Sequence, residues 1–332
     1  MDIFKISKNK SGQEGRQFRI FLPHGGEASN TLRKKPTKED KFNSYLQTYY
    51  TRRKLMILVT GGNGQLGTEL CKLLSKLGKA YVSTDSEEMD ITDSQSTLEF
   101  IKELKPSIIY HCAAYTAVDK AEDEGKELNR LVNIDGTENV AIAAEEVGAT
   151  LVYISTDYVF DGEKLDEYGV SDDVNPKNEY GMAKLQGEKK VQSICSKWYI
   201  VRTSWVFGEF GHNFVYTMKR LAQTHPKLTV VSDQIGRPTW TRTLAEFLNH
   251  LTTSKSEYGI YHLSNKGSCS WYEFAKEILK DEEIEILPVT SDEYPQKAYR
   301  PRHSVMDLSK AKATGFDIPT WQEALIKFEE SR

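Results

Sequence analysis

Met56-Ile57-Leu58-Val59-Thr60-Gly61-Gly62-Asn63-Gly64-Gln65-Leu66-Gly67 is the stretch that decides how this chain is read. A short apolar, partly β-branched run makes a buried strand. Glycines at 61, 64 and 67 follow with G-x-x-G-x-x-G spacing, and an amphipathic stretch from Gln65 to Leu77 starts among them. Such a strand–turn–helix needs glycine three times: for a tight turn, for backbone approach to a phosphate, and for packing the helix on its strand. The first helical amides then face anionic oxygens. Gly61, Gly64 and Gly67 are therefore candidate cofactor contacts.

Outward from that turn, apolar runs near 80–84, 107–112, 150–155 and 198–203 alternate with helical patterns, among them Thr97 to Leu104 and a long stretch from Asp119 to Val147. This alternation predicts an α/β fold, a Rossmann-type doubly wound parallel sheet with helices on both faces. After residue 205 the elements become shorter. Helical patterns near 213–224, 241–253, 270–280 and 320–330 mix with strands at 228–231, 260–263 and 284–288. We read 56–205 as the dinucleotide-binding domain. Residues 206–332 form mainly a smaller C-terminal α/β substrate-binding domain, with segments returning to the first.

Residues 1–55 differ in composition. They carry 13 Lys/Arg and 5 Asp/Glu, whereas the remaining residues carry 31 and 43. The leader lacks sustained apolar periodicity and the apolar core of a secretory signal. It reads as a poorly ordered basic segment, or as sequence preceding a true start at Met56. The net charge of the whole chain is −4, against a dedicated nucleic-acid binder, and no apolar run is long enough for a membrane span. Cys71, Cys112, Cys195 and Cys269 form no C-x-x-C pair and suit a reducing compartment.

Two further features carry chemistry. The second strand ends at Asp85, 18 residues beyond Gly67. A carboxylate there accepts hydrogen bonds from ribose hydroxyls and repels a 2′-phosphate, which by itself favours NADH over NADPH. Tyr180-Gly181-Met182-Ala183-Lys184 places a phenol and an ammonium at i and i+4 of one helix face. The cation lowers the phenol pKa toward the working range, and the phenol can protonate a carbonyl oxygen as hydride arrives on carbon. Thr156, at the end of the strand Leu151-Val152-Tyr153-Ile154-Ser155, can bond the same oxygen.

The glycine turn, Thr156 and Tyr180-x-x-x-Lys184, in this order, resemble the extended short-chain dehydrogenase/reductase superfamily. The strings Ala113-Ala114-Tyr115-Thr116-Ala117-Val118-Asp119, Ser155-Thr156-Asp157-Tyr158-Val159-Phe160-Asp161-Gly162, Arg202-Thr203-Ser204-Trp205-Val206-Phe207-Gly208 and Asp233-Gln234-Ile235-Gly236-Arg237-Pro238-Thr239 are similar to signatures of the dTDP-4-dehydrorhamnose reductase family. The resemblance covers nearly all of 56–330. It implies a cytoplasmic enzyme that reduces the 4-keto group of dTDP-4-dehydro-L-rhamnose with NADPH or NADH, for rhamnose-containing polysaccharides. By position it implies Tyr180 as proton donor, Lys184 as its cofactor-binding partner and Thr156 as the residue polarising the keto group. Thr156, Asp157 and Trp205 would contact the dTDP-sugar, the indole face lying against the sugar. Gly64, Gln65 and Leu66 would form the cofactor turn, Asp85, Asp90 and Ile91 would contact adenosine, and Ala114, Tyr115 and Thr116 would line the strand edge near the cofactor.

Some members of the family bridge a dimer through Mg²⁺ held by carboxylates. Glu69 matches one such position, but the matching partner position is Arg242. No metal is expected, Glu69 reads as a solvated helix residue, and a monomer and a homodimer both stay open. A sugar-nucleotide dehydratase is disfavoured because Tyr158 follows Asp157 where that class carries Glu. A non-catalytic subunit is disfavoured by the intact Thr156, Tyr180 and Lys184.

Overall fold

The computed structural model describes residues 2–4, 20–22 and 56–331. Its centre is a parallel sheet of β1 (Ile57–Thr60), β2 (Tyr81–Thr84), β3 (Ile108–His111), β4 (Thr150–Thr156), β5 (Trp198–Thr203) and β6 (Gly259–His262), in the order β2-β1-β3-β4-β5-β6. Strand order reverses between β1 and β3, so the chain diverges there and leaves a crevice at the strands' C-terminal ends. Two three-residue strands of the leader, Asp2–Phe4 and Ile20–Leu22, add antiparallel at the β2 edge. The rest of the leader lies outside the described residues.

Alternate side chains of each strand serve opposite faces. On one face Ile57, Val59, Tyr110, Val152 and Val201 pack against α1 (Gln65–Lys76) through Leu70, Leu73 and Leu74. The same face holds Leu244, Phe247, Leu248 and Leu251 of a helix from the C-terminal half, Thr241–Ser254. On the other face Leu58, Ile109, Leu151, Tyr153 and Ile200 meet α2 (Ser94–Leu104), with Phe100 and Ile101. They also meet a helix carrying Val140, Ala141 and Ala144, Thr137–Val147, and Val191 of Glu179–Ile194.

The expected long helix from Asp119 to Val147 is not continuous. A 3₁₀ turn at Lys120–Glu122 gives way to α3 (Lys126–Arg130), a π-helical segment Leu131–Gly136 and α4 (Thr137–Val147). Only the first junction, Asp123–Gly125, leaves helical geometry; from Lys126 to Val147 the backbone stays right-handed through the π segment, and both glycines are close-approach points. A Cβ on Gly125 would meet the Tyr115 hydroxyl at 2.0 Å, and one on Gly136 would meet Ile91 at 2.8 Å. The chain approaches its neighbours there more closely than a regular helix with side chains allows.

α5 is the helix Glu179–Ile194, capped by Asn178, whose side-chain oxygen accepts the Gly181 N–H at 2.6 Å. Beyond β5 a second core forms around Phe207, Val215, Met218, Phe274, Trp321 and Phe328. It contains α6 (Phe214–Ala222), α8 (Trp271–Ile278) and α10 (Trp321–Glu330), with α7 (Thr241–Ser254) and α9 (Ser309–Ala313) between them in sequence. Three two-stranded ribbons complete it, the longest pairing Lys227–Val231 with Glu285–Val289 in parallel. No helix among the described residues is long and apolar enough to cross a membrane.

Candidate active site

The crevice holds two connected clefts. The smaller, about 330 Å³, is lined by Thr60, Gly61, Gly64, Asp85, Asp90, Ile91 and Ala114 among others. The larger, about 670 Å³, is lined by Gly64, Gln65, Leu66, Gly67, Ala114, Thr116, Thr156, Asp157, Tyr180, Lys184 and Trp205, among others. Residues far apart in sequence thus reach one opening, because the strands that carry or precede most of them end at the same edge of the sheet.

The glycine turn is built as its spacing requires. Gly61 has φ +65°, and a Cβ there would lie 2.6 Å from the backbone of Ala113. A Cβ on Gly67 would strike the Gly61 carbonyl at 2.1 Å, so only glycine lets α1 sit on the turn. Gly64 caps α1 without a side-chain bond and faces both clefts. Asp85 is tied to this turn: its carboxylate accepts the Asn63 N–H at 3.2 Å and the Ser86 N–H at 2.8 Å.

A sequence feature not singled out beforehand brings Tyr180 to Thr156. A Cβ on Gly181 would lie 2.2 Å from the Tyr158 carbonyl, so α5 lies directly on the turn that follows β4. Thr156 accepts the Tyr158 N–H at 3.2 Å and donates to Asp157 at 3.1 Å. Tyr180 meets Tyr158 edge-on, with centroids 6.1 Å apart.

The electrostatics differ from the expected lowering of the phenol pKa by Lys184. Burial dominates and pushes Tyr180 well above the usual phenol range. The Asp157 charge adds to this, and the Thr156 hydroxyl opposes it. Asp157 is itself raised to about 6 by burial, against hydrogen bonds from Ser304 and Thr156 and the charge of Arg300. Burial lowers Lys184 to about 7, opposed by the charges of Glu188 and Cys112. Glu188 sits one turn beyond Lys184 and forms a fully buried pair with Arg202 at 2.8 Å, while Ser155 donates to it at 2.5 Å.

Trp205 stands at φ +47°, unusual for a bulky side chain. One indole face is covered: it stacks on Trp271 with centroids 3.6 Å apart and planes 11° from parallel. Gly236 abuts its pyrrole edge, where a Cβ would come within 2.6 Å. Trp271 also lines the larger cleft and was not read from the sequence. Its position opening a helix with a Ser270–Glu273 capping box was the available signal, but nothing in it points to a site.

Two expectations change. Tyr115 lines neither cleft. Its backbone exchanges hydrogen bonds with the Asn133 side chain at 3.1 and 2.9 Å, and its hydroxyl lies against Gly125. Glu69 is not solvated: it is 1% exposed and ion-paired with Arg242. Residues 69 and 242 lie on α1 and α7, which pack side by side on one sheet face, so the cation meets the carboxylate within one chain. Among the described residues no group of three or more His, Cys, Asp or Glu is placed to hold a metal.

The sheet order, the glycine turn at its switch point and the Thr–Tyr–Lys group beside it define a dinucleotide-binding protein of the short-chain dehydrogenase/reductase type. The comparisons with known proteins narrow this. Residues 55–331 match the family described as the RmlD substrate binding domain, and the chain belongs to that family. It is 41% identical over 280 residues to the spore coat polysaccharide biosynthesis protein SpsK of Bacillus subtilis, covering 83% of this chain and 97% of that protein. It is 39% identical over 284 residues to a dTDP-4-dehydrorhamnose reductase of Aggregatibacter actinomycetemcomitans, covering 81% and 96%. Among solved structures it is similar to the dTDP-4-dehydrorhamnose reductase of Bacillus anthracis in complex with NADP. The TM-score is 0.81 at 41% identity, with 84% of this chain and 99% of that one covered.

Proposed function

We propose that this protein reduces the 4-keto group of dTDP-4-dehydro-L-rhamnose to give dTDP-L-rhamnose, using NADPH or NADH. The observation that carries this reading is that Thr156, Tyr180 and Lys184 line the same cleft as the glycine turn and Trp205. The relatives' names supply the substrate. A cytoplasmic location suits a nucleotide-sugar substrate and four free cysteines.

The cleft fits a dinucleotide on its own geometry. The turn excludes a Cβ at Gly61 and Gly67, and the N-terminus of α1 carries no side-chain cap. Asp85, Asp90 and Ile91 would hold the adenosine end, Lys184 the nicotinamide ribose. When bound, the reduced nicotinamide supplies hydride to the carbonyl carbon.

This chain's residues supply the proton. Burial keeps the Tyr180 phenol protonated, which is the form a reductase needs: it gives up its proton as negative charge develops on the ketone oxygen. Thr156, fixed by the Tyr158 N–H, turns its one hydroxyl proton from Asp157 to the same oxygen when substrate is bound. The Lys184 ammonium, which burial disfavours and the Glu188 charge partly restores, stabilises the phenolate left behind. Asp157 and Trp205 shape the sugar end.

The test is turnover. Protein incubated with dTDP-4-dehydro-L-rhamnose and each reduced cofactor should consume the cofactor and form dTDP-L-rhamnose. No loss of nicotinamide absorbance with either cofactor would overturn the reading.

A further inference from the structure

The Lys184 side chain is 2% exposed, and its ammonium lies 4.1 Å from the centroid of the Tyr153 ring, within cation–π range. Glu188, the carboxylate on the same helix face, is already committed to Arg202 and Ser155. Tyr153 projects from the middle of β4 and is itself fully buried. Its hydroxyl donates to the Lys184 carbonyl at 3.3 Å.

That latch accounts for a residue with no other role so far. Gly187 stands inside α5, where glycine costs about 1 kcal/mol relative to alanine. A Cβ there would lie 2.3 Å from the Tyr153 hydroxyl and 2.6 Å from the Asn133 carbonyl of the π-helical segment. The missing side chain is what lets the phenol reach the helix.

We propose that Tyr153 is a positioning residue for Lys184: the face of its buried ring carries the ammonium, and its hydroxyl locks that ring to the helix bearing the lysine. A ring face favours the charged lysine without pulling it out of the cleft, as a carboxylate in direct contact would. The other groups facing the ammonium are Glu188 on α5 and, at the end of β3, Cys112 and His111. His111 is held neutral by burial, at about 3, so it does not compete for the role of counter-charge.

The inference rests on the assignment of Lys184 above. It is tested with Tyr153→Phe as reference and phenylalanines of increasing fluorination at the same position. These drain the ring quadrupole at nearly constant shape. The readout is the pH profile of kcat/KM in the reductive direction, which falls as Lys184 loses its proton. Across the series that fall should move to lower pH by about one unit in total. A profile that stays fixed from phenylalanine to the most fluorinated form, in folded protein that binds cofactor, overturns the role of the ring. Lys184→Ala separates the two assignments. If it abolishes the alkaline fall while fluorination leaves the fall in place, only Tyr153 is wrong. If Lys184→Ala leaves the fall in place, both assignments are wrong.

Discussion

Trp205 lies flat on Trp271, the two indoles 3.6 Å apart at their centroids, and this stack holds a residue whose backbone sits at φ +47°. A left-handed bulky residue costs on the order of 1–3 kcal/mol and persists where its surroundings over-determine it. Trp271→Ala removes the support and one wall of the cleft. KM for the sugar nucleotide should rise about tenfold, matching 0.5–1.5 kcal/mol for a lost aromatic pair, while cofactor binding holds. Gly236→Ala should act the same way by pushing the indole aside. Unchanged KM in both variants would show that Trp205 serves the fold alone.

Tyr180→Phe should leave cofactor affinity near that of the parent and lower kcat by about 10²–10⁴-fold, the usual worth of one general acid. The phenyl ring keeps the edge contact with Tyr158, so folding should survive. Titration of the cofactor by fluorescence, alongside turnover, separates the two effects. Parental turnover in the variant would remove Tyr180 from the mechanism.

Much of this site was legible because its chemistry is local. Gly61, Gly64 and Gly67 announce a turn by spacing, and Tyr180 and Lys184 share a helix face by periodicity. What was not legible depends on packing between segments far apart in sequence. Trp271 meets Trp205 only after the second core folds. Gly181 and Gly187 carry no signal of their own in the sequence, and their purpose appears when Tyr158 and Tyr153 press against them. In the 119–147 stretch helical periodicity runs through Gly125 and Gly136, and only the packing shows that Tyr115 and Ile91 lie where their side chains would be. The pKa of Tyr180 was misjudged because i,i+4 spacing speaks of the neighbouring charge and not of burial, which is the larger effect here.

Lys184 also links stability to pH. Its pKa falls from 10.5 unfolded to about 7 folded, mainly through burial. Between these values the unfolded chain binds more protons, so stability rises with pH across that window. The penalty for burying the charge is complete below pH 7 and vanishes toward pH 10.5. Lys184→Met should therefore turn over more slowly and yet be more stable than the parent at pH 6, with the gap closing by pH 10. Denaturant melts at several pH values check this. A gap that does not depend on pH would mean that the lysine is not buried as a cation.

Asp85 is held by the Asn63 and Ser86 amides, so its carboxylate stays at the smaller cleft, where the proposed reading puts adenosine. Asp85→Asn keeps an acceptor for Asn63 and removes the repulsion toward a 2′-phosphate. The ratio of kcat/KM for NADPH over NADH should rise about tenfold, equal to 1.4 kcal/mol. KM for the sugar nucleotide should not move, because Asp85 does not line the larger cleft. A fixed cofactor ratio would show that Asp85 only buttresses the glycine turn.

Glu69 and Arg242 give the most direct test of packing between the two halves. Glu69 is buried on α1, and Arg242 enters from α7 with its side chain 20% exposed. Removing only the cation leaves a buried carboxylate between these helices, near Glu246 and without its ion-pair partner, at a cost of about 3 kcal/mol or more. Arg242→Met should thus lower stability sharply at pH 7. The double change Glu69→Leu with Arg242→Met removes both charges and keeps the volume, and it should recover most of the loss. Chemical denaturation of the parent, both single variants and the double variant closes the cycle. If the two single losses simply add in the double variant, the pair is not coupled, and Glu69 must find its stabilisation elsewhere.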